Sequence, residues 1–303
     1  MANKLSFDSY YFSPNNILPT QTKCILYSTT FTPEHLSELL SLDTKIALLS
    51  TWHVFEYRCV LIASEQLAII QQWAAQLGID FAKLETYPTL SSQGLLVMDM
   101  DSTAIQIECI DEIAKLANVG EQVSAITEQA MRGELDFEQS LRQRVQALKG
   151  QSEQLLEQVR QQLPLTSGLT RLVKTLQQKG WRIAIASGGF TYFTEDLKQR
   201  LQLDFTVANK LDIVDGVLTG ELKGQIVDAQ YKADTLLSLA QDYNIPLTQT
   251  IAIGDGANDL PMLHQASLGI AFHAKPKVQQ QVETVVNFAD LTALLCILTA
   301  VEH

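Results

Sequence analysis

Leu95-Leu96-Val97-Met98-Asp99-Met100-Asp101-Ser102-Thr103 is the stretch on which the fold of this chain turns. Four apolar residues with no polar alternation run straight into two carboxylates spaced two apart. An unbroken apolar run is how a strand reads when both faces of its sheet are covered, as in a parallel α/β sheet. Polar residues at the C-terminal end of such a strand stand where an open parallel sheet binds its ligands. Asp99 and Asp101 also resist ionising together unless a cation is near or one keeps its proton. That is the condition wanted of a nucleophile beside a general acid.

The same grammar recurs downstream. Ile183-Ala184-Ile185-Ala186 leads into Ser187-Gly188-Gly189, and Ile251-Ala252-Ile253 leads into Gly254-Asp255-Gly256-Ala257-Asn258-Asp259. Helical segments lie between, at Leu169 to Lys179 and Ala233 to Tyr243. The pattern predicts a doubly wound, Rossmann-like parallel sheet. Ile105 to Gln162 has almost no strand signal and reads as a helical insertion, a cap over about 105–165 that could cover the strand ends. Asp136 and Gln139 form a capping box within it. Asp215-Gly216, inside Leu211 to Leu222, signals a hairpin.

Upstream of Leu95 the chain changes character. Cys24 to Tyr27 reads as a strand, and Thr32 caps a helix with Pro33 at its first position. Lys45 to Phe55 and Tyr57 to Ala63 read as paired strands, Glu65 to Leu77 as a helix ended by Gly78, and Ile79 to Tyr87 as a last strand. The order β-α-β-β-α-β is the split βαβ pattern of a small ferredoxin-like domain. An irregular lead-in covers residues 1 to about 20, and Tyr87 to Gly94 is a turn-rich linker. Two domains are therefore expected, 1–90 and 91–303.

A formal charge of −12 over 303 residues argues against nucleic acid or an anionic membrane surface as partner. A phosphate ligand would need its own local cations. The four cysteines show no CxxC pair and read as buried, reduced thiols of a cytoplasmic protein. The start of the chain has no apolar signal core, and Leu291 to Val301 is too short to span a bilayer.

Asp255, Asn258 and Asp259 offer hard oxygens of the kind Mg²⁺ takes. Ser187 and Gly188 offer a hydroxyl and bare backbone N–H groups at an expected helix start. Lys232 lies early in a helical segment, where the dipole disfavours a cation unless an anion sits nearby. Each cluster alone reads equally well as a polar turn or a solvated side chain. All four occur in order, each at a strand end or a helix start. Read from the residues alone, Glu108 and Arg144 are exposed helical charges. Phe137 and Met131 read as cap core, with a pocket wall as the alternative. Ser102 and Thr103 are expected to hydrogen-bond the turn, Met100 to face the core, and Lys275-Pro276-Lys277 to be a solvated loop. The five histidines show no ligand spacing.

The order D-x-D-S-T, S-G-G, Lys, G-D-G-x-N-D resembles the haloacid dehalogenase superfamily. Leu95 to about Asp290 resembles its phosphoserine phosphatase family, through Glu108-Cys109-Ile110-Asp111-Glu112 and Phe137 to Arg144. The resemblance implies Mg²⁺-dependent hydrolysis of O-phosphoserine by way of an aspartyl-phosphate, the last step of serine biosynthesis. It implies Asp99 as nucleophile and Asp101 as proton donor. Glu108 would hold the substrate ammonium, Arg144 its carboxylate, and Ser187, Gly188 and Asn258 its phosphate. Lys232 would steady the phosphorylated aspartate. Asp255, the Asp99 carboxylate and the Asp101 carbonyl would bind the metal, with Asp259 acting through water. Met100 departs from the Phe common at its position. Transfer to another alcohol such as homoserine would use the same groups, and a small-molecule-sensing regulatory protein is a third reading. The N-terminal unit resembles ACT-like sensor modules in element order. Its junction Ser28 to Thr32 lacks a glycine, so ligand sensing, packing and homodimer formation all stay open.

Overall fold

In the computed structural model, which describes residues 6–7, 10–12, 17–84 and 88–303, the N-terminal portion runs β1 (Thr22–Ser28), α1 (Pro33–Leu42), β2 (Ala47–Val54), β3 (Tyr57–Ser64), α2 (Leu67–Gln76) and β4 (Asp80–Lys83). The four strands form an antiparallel sheet in the order β2-β3-β1-β4. Thr32 caps α1 by accepting from the His35 N–H, with Pro33 in the first turn as expected. One face of the sheet buries Cys24, Leu26, Val60 and Ile62 under α1 and α2. The last strand is shorter than expected, ending at Lys83. Tyr87 and most of the lead-in lie outside the described residues.

The second sheet begins at β5 (Leu95–Met98). Five helices follow before the next strand, the first four being α3 (Cys109–Leu116), α4 (Gly120–Met131), α5 (Phe137–Ala147) and α6 (Gln154–Gln161). The Asp136 and Gln139 capping box opens α5. The chain returns through α7 (Leu169–Gln178), β6 (Arg182–Phe190), α8 (Thr191–Leu201), β7 (Phe205–Val214), β8 (Val217–Lys223) and α9 (Ala229–Asp242). It closes with β9 (Thr250–Gly254), α10 (Leu260–Gln265), β10 (Leu268–Phe272), α11 (Pro276–Gln279), β11 (Thr284–Val286) and α12 (Ala293–Ala300). The seven strands order as β11-β10-β9-β5-β6-β7-β8, parallel except for the β7–β8 hairpin. β5 lies at the centre, and Leu95, Leu96, Val97 and Met98 are all fully buried. This is the two-faced burial that their unalternating pattern encodes.

One boundary differs from the sequence reading. Ser187-Gly188-Gly189 does not start a helix: β6 continues through it to Phe190, with a register shift against β7 after Ala186. The bulge lets the strand bend without ending.

The two sheets share α12. Seven of its eight residues are buried, and Leu294, Leu295 and Leu298 belong to the same core as Ile25, Tyr27 and Cys59 of the antiparallel sheet. Trp52 Nε1 donates to Thr299 Oγ1 at 3.0 Å. Asp80, also buried, accepts the N–H groups of Asn287, Phe288 and Ala289 at 2.8, 3.1 and 2.7 Å. No described helix is long and apolar enough to cross a membrane.

Candidate active site

The polar clusters converge at the C-terminal ends of β5, β6 and β9. The Asp99 N–H donates to the Ile253 carbonyl at 2.9 Å, so strand pairing holds the residue in line with β9. Beyond it the chain makes a tight five-residue turn, in which Ser102 takes a left-handed conformation at φ 56°. Asp101 Oδ1 accepts the Cys109 N–H at 3.2 Å, and Ser102 Oγ donates to Glu108 Oε1 at 2.7 Å. These two bonds fix where α3 begins. Thr103 Oγ1 donates to Asp255 Oδ1 at 3.1 Å, tying the β5 turn to the β9 loop. Met100 is fully buried.

Lys232, on the first turns of α9, has no solvent contact. Its ammonium donates to Asp99 Oδ1 at 2.9 Å and to Asp259 Oδ1 at 2.8 Å. Asp259 is equally buried, and its second oxygen accepts the N–H groups of Asp255 and Gly256 at 3.1 and 2.9 Å. Asp259 therefore shapes the backbone of the loop after β9 and anchors the lysine, with both oxygens taken by the protein. Asp99 Oδ1 also accepts the Met100 N–H at 2.7 Å. Asp99 Oδ2 has no hydrogen-bond partner among the described residues, and Asp99 lines the central cavity.

That cavity, about 530 Å³, lies between the strand ends and the inserted helices. Every expected site residue except Lys232 and Asp259 reaches it: Asp99, Asp101, Glu108, Arg144, Ser187, Gly188, Asp255 and Asn258 all line it. Lys232 and Asp259 stand one layer behind. Phe137 and Met131 line it as well. Met131 is 67 % exposed, so it is a wall of the cavity and not cap core. Phe137 is half-buried over Gly188, where a Cβ would fall 2.9 Å from its ring. At Gly189 a Cβ would fall 2.6 Å from Asp101 Oδ2. The two glycines thus let the cap and the β5 turn close onto the β6 loop.

Crowded carboxylates leave their mark on proton affinity. Burial raises Asp99 well above the ordinary carboxylate range, and the Asp259 charge adds to it while Lys232 opposes. Asp101 is pushed up to about 7 by burial and by the Glu108 charge. Asp255 is pushed up to about 6 by burial and by the Asp259 and Glu108 charges. Burial works against the Lys232 ammonium, but the Asp259 and Asp99 charges outweigh it and hold it above its usual range. Asp99, Asp255 and Asp259 bring carboxylate oxygens within 4.8 Å of one another. With Asp259 engaged by protein donors, the Asp99 carboxylate and the remaining Asp255 oxygen are the hard ligands on offer. A divalent cation fits such a donor set.

Arg144 projects from α5 into the cavity, and its buried Nε has no hydrogen-bond partner. Burial lowers its proton affinity, opposed by the Asp111, Glu108 and Asp101 charges. A buried guanidinium with an unused N–H has the geometry for a bidentate anion.

Two residues of the site escaped the sequence reading. Asp111 lines the cavity beside Arg144, and only its i+3 spacing from Glu108 could have marked it. Asn209, on β7, donates through Nδ2 to the Gly188 carbonyl at 2.8 Å and accepts the Val227 N–H at Oδ1 at 2.9 Å. It ties the β6 loop to the start of α9. A lone polar residue between Ala208 and Lys210, where a strand is entering a hairpin, carries no signal of such a role.

A family model described as haloacid dehalogenase-like hydrolase matches residues 94–267, and a domain of unknown function matches residues 20–83. The phosphoserine phosphatase of Haemophilus influenzae is 61 % identical over 253 residues, covering 84 % of this chain and 81 % of the relative. The crystal structure of a probable phosphoserine phosphatase from Vibrio cholerae, unliganded, superposes with a TM-score of 0.87 at 49 % identity, covering 95 % of this chain and 90 % of that one. A phospho-aspartyl intermediate analogue of phosphoserine phosphatase superposes with a TM-score of 0.64 at 39 % identity, over 67 % of this chain and 98 % of that one. The converging strand-end carboxylates and the whole-length likeness lead to one conclusion: the chain belongs to the phosphoserine phosphatase family of haloacid dehalogenase-like hydrolases.

Proposed function

We propose that the chain hydrolyses O-phosphoserine to serine and phosphate through an aspartyl-phosphate on Asp99. The observation that carries this reading is the asymmetric hold on Asp99: Lys232 and the Met100 N–H occupy Oδ1, and Oδ2 is left free at the cavity. In the first step Asp99 Oδ2 attacks phosphorus in line with the seryl oxygen. The P–O bond to serine breaks as the bond to Asp99 forms, and Asp101 passes its proton to the departing oxygen. In the second step water attacks the same phosphorus, Asp101 takes its proton, and the bond to Asp99 breaks. A proton affinity near neutrality suits a group that must give and then take a proton.

Ser187, Gly188 and Asn258 would face the phosphate oxygens. The Gly189 N–H donates to Ser187 Oγ at 2.9 Å, leaving the Ser187 hydroxyl proton available as a donor. Lys232 neutralises the Asp99 carboxylate as it reappears. Arg144 would take the substrate carboxylate and Glu108 its ammonium, with Asp111 adding negative charge nearby. Mg²⁺ is the cation that two carboxylate oxygens and the Asp101 main-chain carbonyl would hold, and it would offset charge on the transferring phosphoryl group. Asp259 would position the loop that holds it. Phe137, packed over Gly188, would help the cap exclude water during transfer.

Residues 91–303 would form the catalytic unit, with a helical cap at about 105–165, and residues 1–90 an ACT-like unit. Four free, buried cysteines fit a cytoplasmic setting, and the acidic net charge fits a small-molecule substrate better than nucleic acid. The test is phosphate release from O-phosphoserine, with Mg²⁺ and with a chelator, together with acid-quench trapping of labelled phosphate on the protein. Turnover that needs the cation, with label on Asp99, is expected. An inert protein, or turnover with no trapped label under burst conditions, overturns the scheme.

A further inference from the structure

We propose that Lys275 and Lys277 form a cationic capture rim that draws the phosphomonoester dianion into the cleft; the proposal rests on the phosphatase reading above. Both are exposed, and both line the cavity that Asp99 and Arg144 line. Neither makes an ion pair or a side-chain hydrogen bond among the described residues. The chain carries 34 acidic against 22 basic residues, so two cations left without carboxylate partners at one cavity mouth call for a reason.

The charge of the cavity supplies one. Five carboxylates line it: Asp99, Asp101, Glu108, Asp111 and Asp255. Against them stand Arg144, Lys275 and Lys277. Lys232 adds nothing at the surface, because it is fully buried and bound between Asp99 and Asp259. Without the two rim lysines, an incoming dianion would meet one guanidinium against Glu108, Asp111 and Asp255, beside Asp99 paired to Lys232 and Asp101 holding the donor proton. A bound divalent cation would offset only part of that. Charges at a cleft mouth act over about a Debye length, ~10 Å at 0.1 M salt, and they raise the encounter rate of an oppositely charged ligand.

The placement is also fixed. The pair follows β10 and so belongs to the body of the sheet and not to the inserted helices. Pro276 stands between the two lysines, and buried Val278 anchors the turn that follows. Movement of the cap would leave the rim in place at the entrance. The lysines touch no reacting atom. They would act on capture and leave the chemical step alone.

The test is steady-state hydrolysis of O-phosphoserine in the presence of Mg²⁺, from about 20 to about 300 mM NaCl, a range that shortens the Debye length several-fold. It compares wild type, the K275Q/K277Q pair and the charge-keeping K275R/K277R pair. At low salt the Gln pair is expected to lose about 3- to 10-fold in kcat/KM, a modest part of the range electrostatic steering spans, with kcat within about twofold. Its kcat/KM should depend less steeply on salt than wild type, and the Arg pair should restore both the value and the slope. Equal melting temperatures check that the variants fold, and K275Q and K277Q singly, each with part of the loss, serve if the pair is unstable. A Gln pair that matches wild type in kcat/KM and salt slope overturns the rim while leaving the phosphatase reading intact. A Gln pair that loses kcat and keeps kcat/KM overturns it too. Wild type inert toward O-phosphoserine removes the reading beneath the proposal, and the proposal with it.

Discussion

Between Asp99 and Asp259 the Lys232 ammonium balances two charges in a place water does not reach. Replacing it with Met would leave the two carboxylates facing each other, and breaking a buried pair in this way costs about 3–5 kcal/mol. Lys232→Met should therefore lower the urea midpoint strongly, and acid should recover part of the loss by letting one carboxyl take a proton. Asp99→Asn should fold yet lose turnover by ~1,000-fold or more, the scale seen when a nucleophile is removed; phosphate release and circular dichroism on the same sample check both halves. Without a cation, the folded protein holds protons on Asp101 to about pH 7 and on Asp255 to about pH 6, above the ordinary carboxylate range. It then binds more protons than the unfolded chain, so its stability falls as pH rises through 6 to 7. A divalent cation takes the protons' place, and its stabilisation should grow over the same window. Melting temperatures in chelator and in excess Mg²⁺ at pH 5.5, 6.5 and 7.5 should diverge as pH rises. At this scale the sequence was informative wherever a polar residue ended an apolar run, as at Asp99, Ser187 and Asp255. It marked Asp259 only as a candidate metal oxygen and not as the anchor of Lys232, because spacing cannot say which carboxylate oxygens the backbone and Lys232 already occupy.

The strands of the central sheet were legible from their unalternating runs, and the inserted helices from the absence of such runs. What could not be read was where β6 stops. Its Ser-Gly-Gly segment has the composition of a turn, but pairing between Phe190 and Asn209 after the bulge keeps it extended. Asn209 owes its part to the same pairing, since it lies on β7 where its amide can reach both the β6 loop and the residues before α9. Asn209→Ala would strand the Gly188 carbonyl and the Val227 N–H, at about 1–3 kcal/mol for a buried polar group left unpaired. We expect a lower melting temperature and a fall in kcat of about 10-fold, the equivalent of ~1.4 kcal/mol, as the β6 loop and the Lys232 helix lose their common tie. Asn209→Asp, which keeps one acceptor, should recover part of the stability.

Across the whole molecule, the two sheets are joined by a helix, a latch and a hydroxyl. α12 is buried on nearly all sides, Asp80 collects three backbone N–H groups from residues 287–289, and Tyr57 accepts the Asp290 N–H at 3.0 Å. This junction could not be read in advance, because α12 reads as an apolar run with no hint of which surfaces cover it. Deleting residues 1–90 should uncover the α12 side chains that pack on β1 and β3, and large exposed apolar patches drive association. The shortened protein is expected to aggregate or to melt well below the full chain, as size-exclusion chromatography and thermal scans would show. Trp52 and Thr299, bonded across that junction, stand 247 positions apart. A ribosome finishes the amino-terminal sheet long before the segment that completes its underside exists. The early unit must therefore wait with a greasy face bare, a natural client for chaperones until translation reaches the last helix.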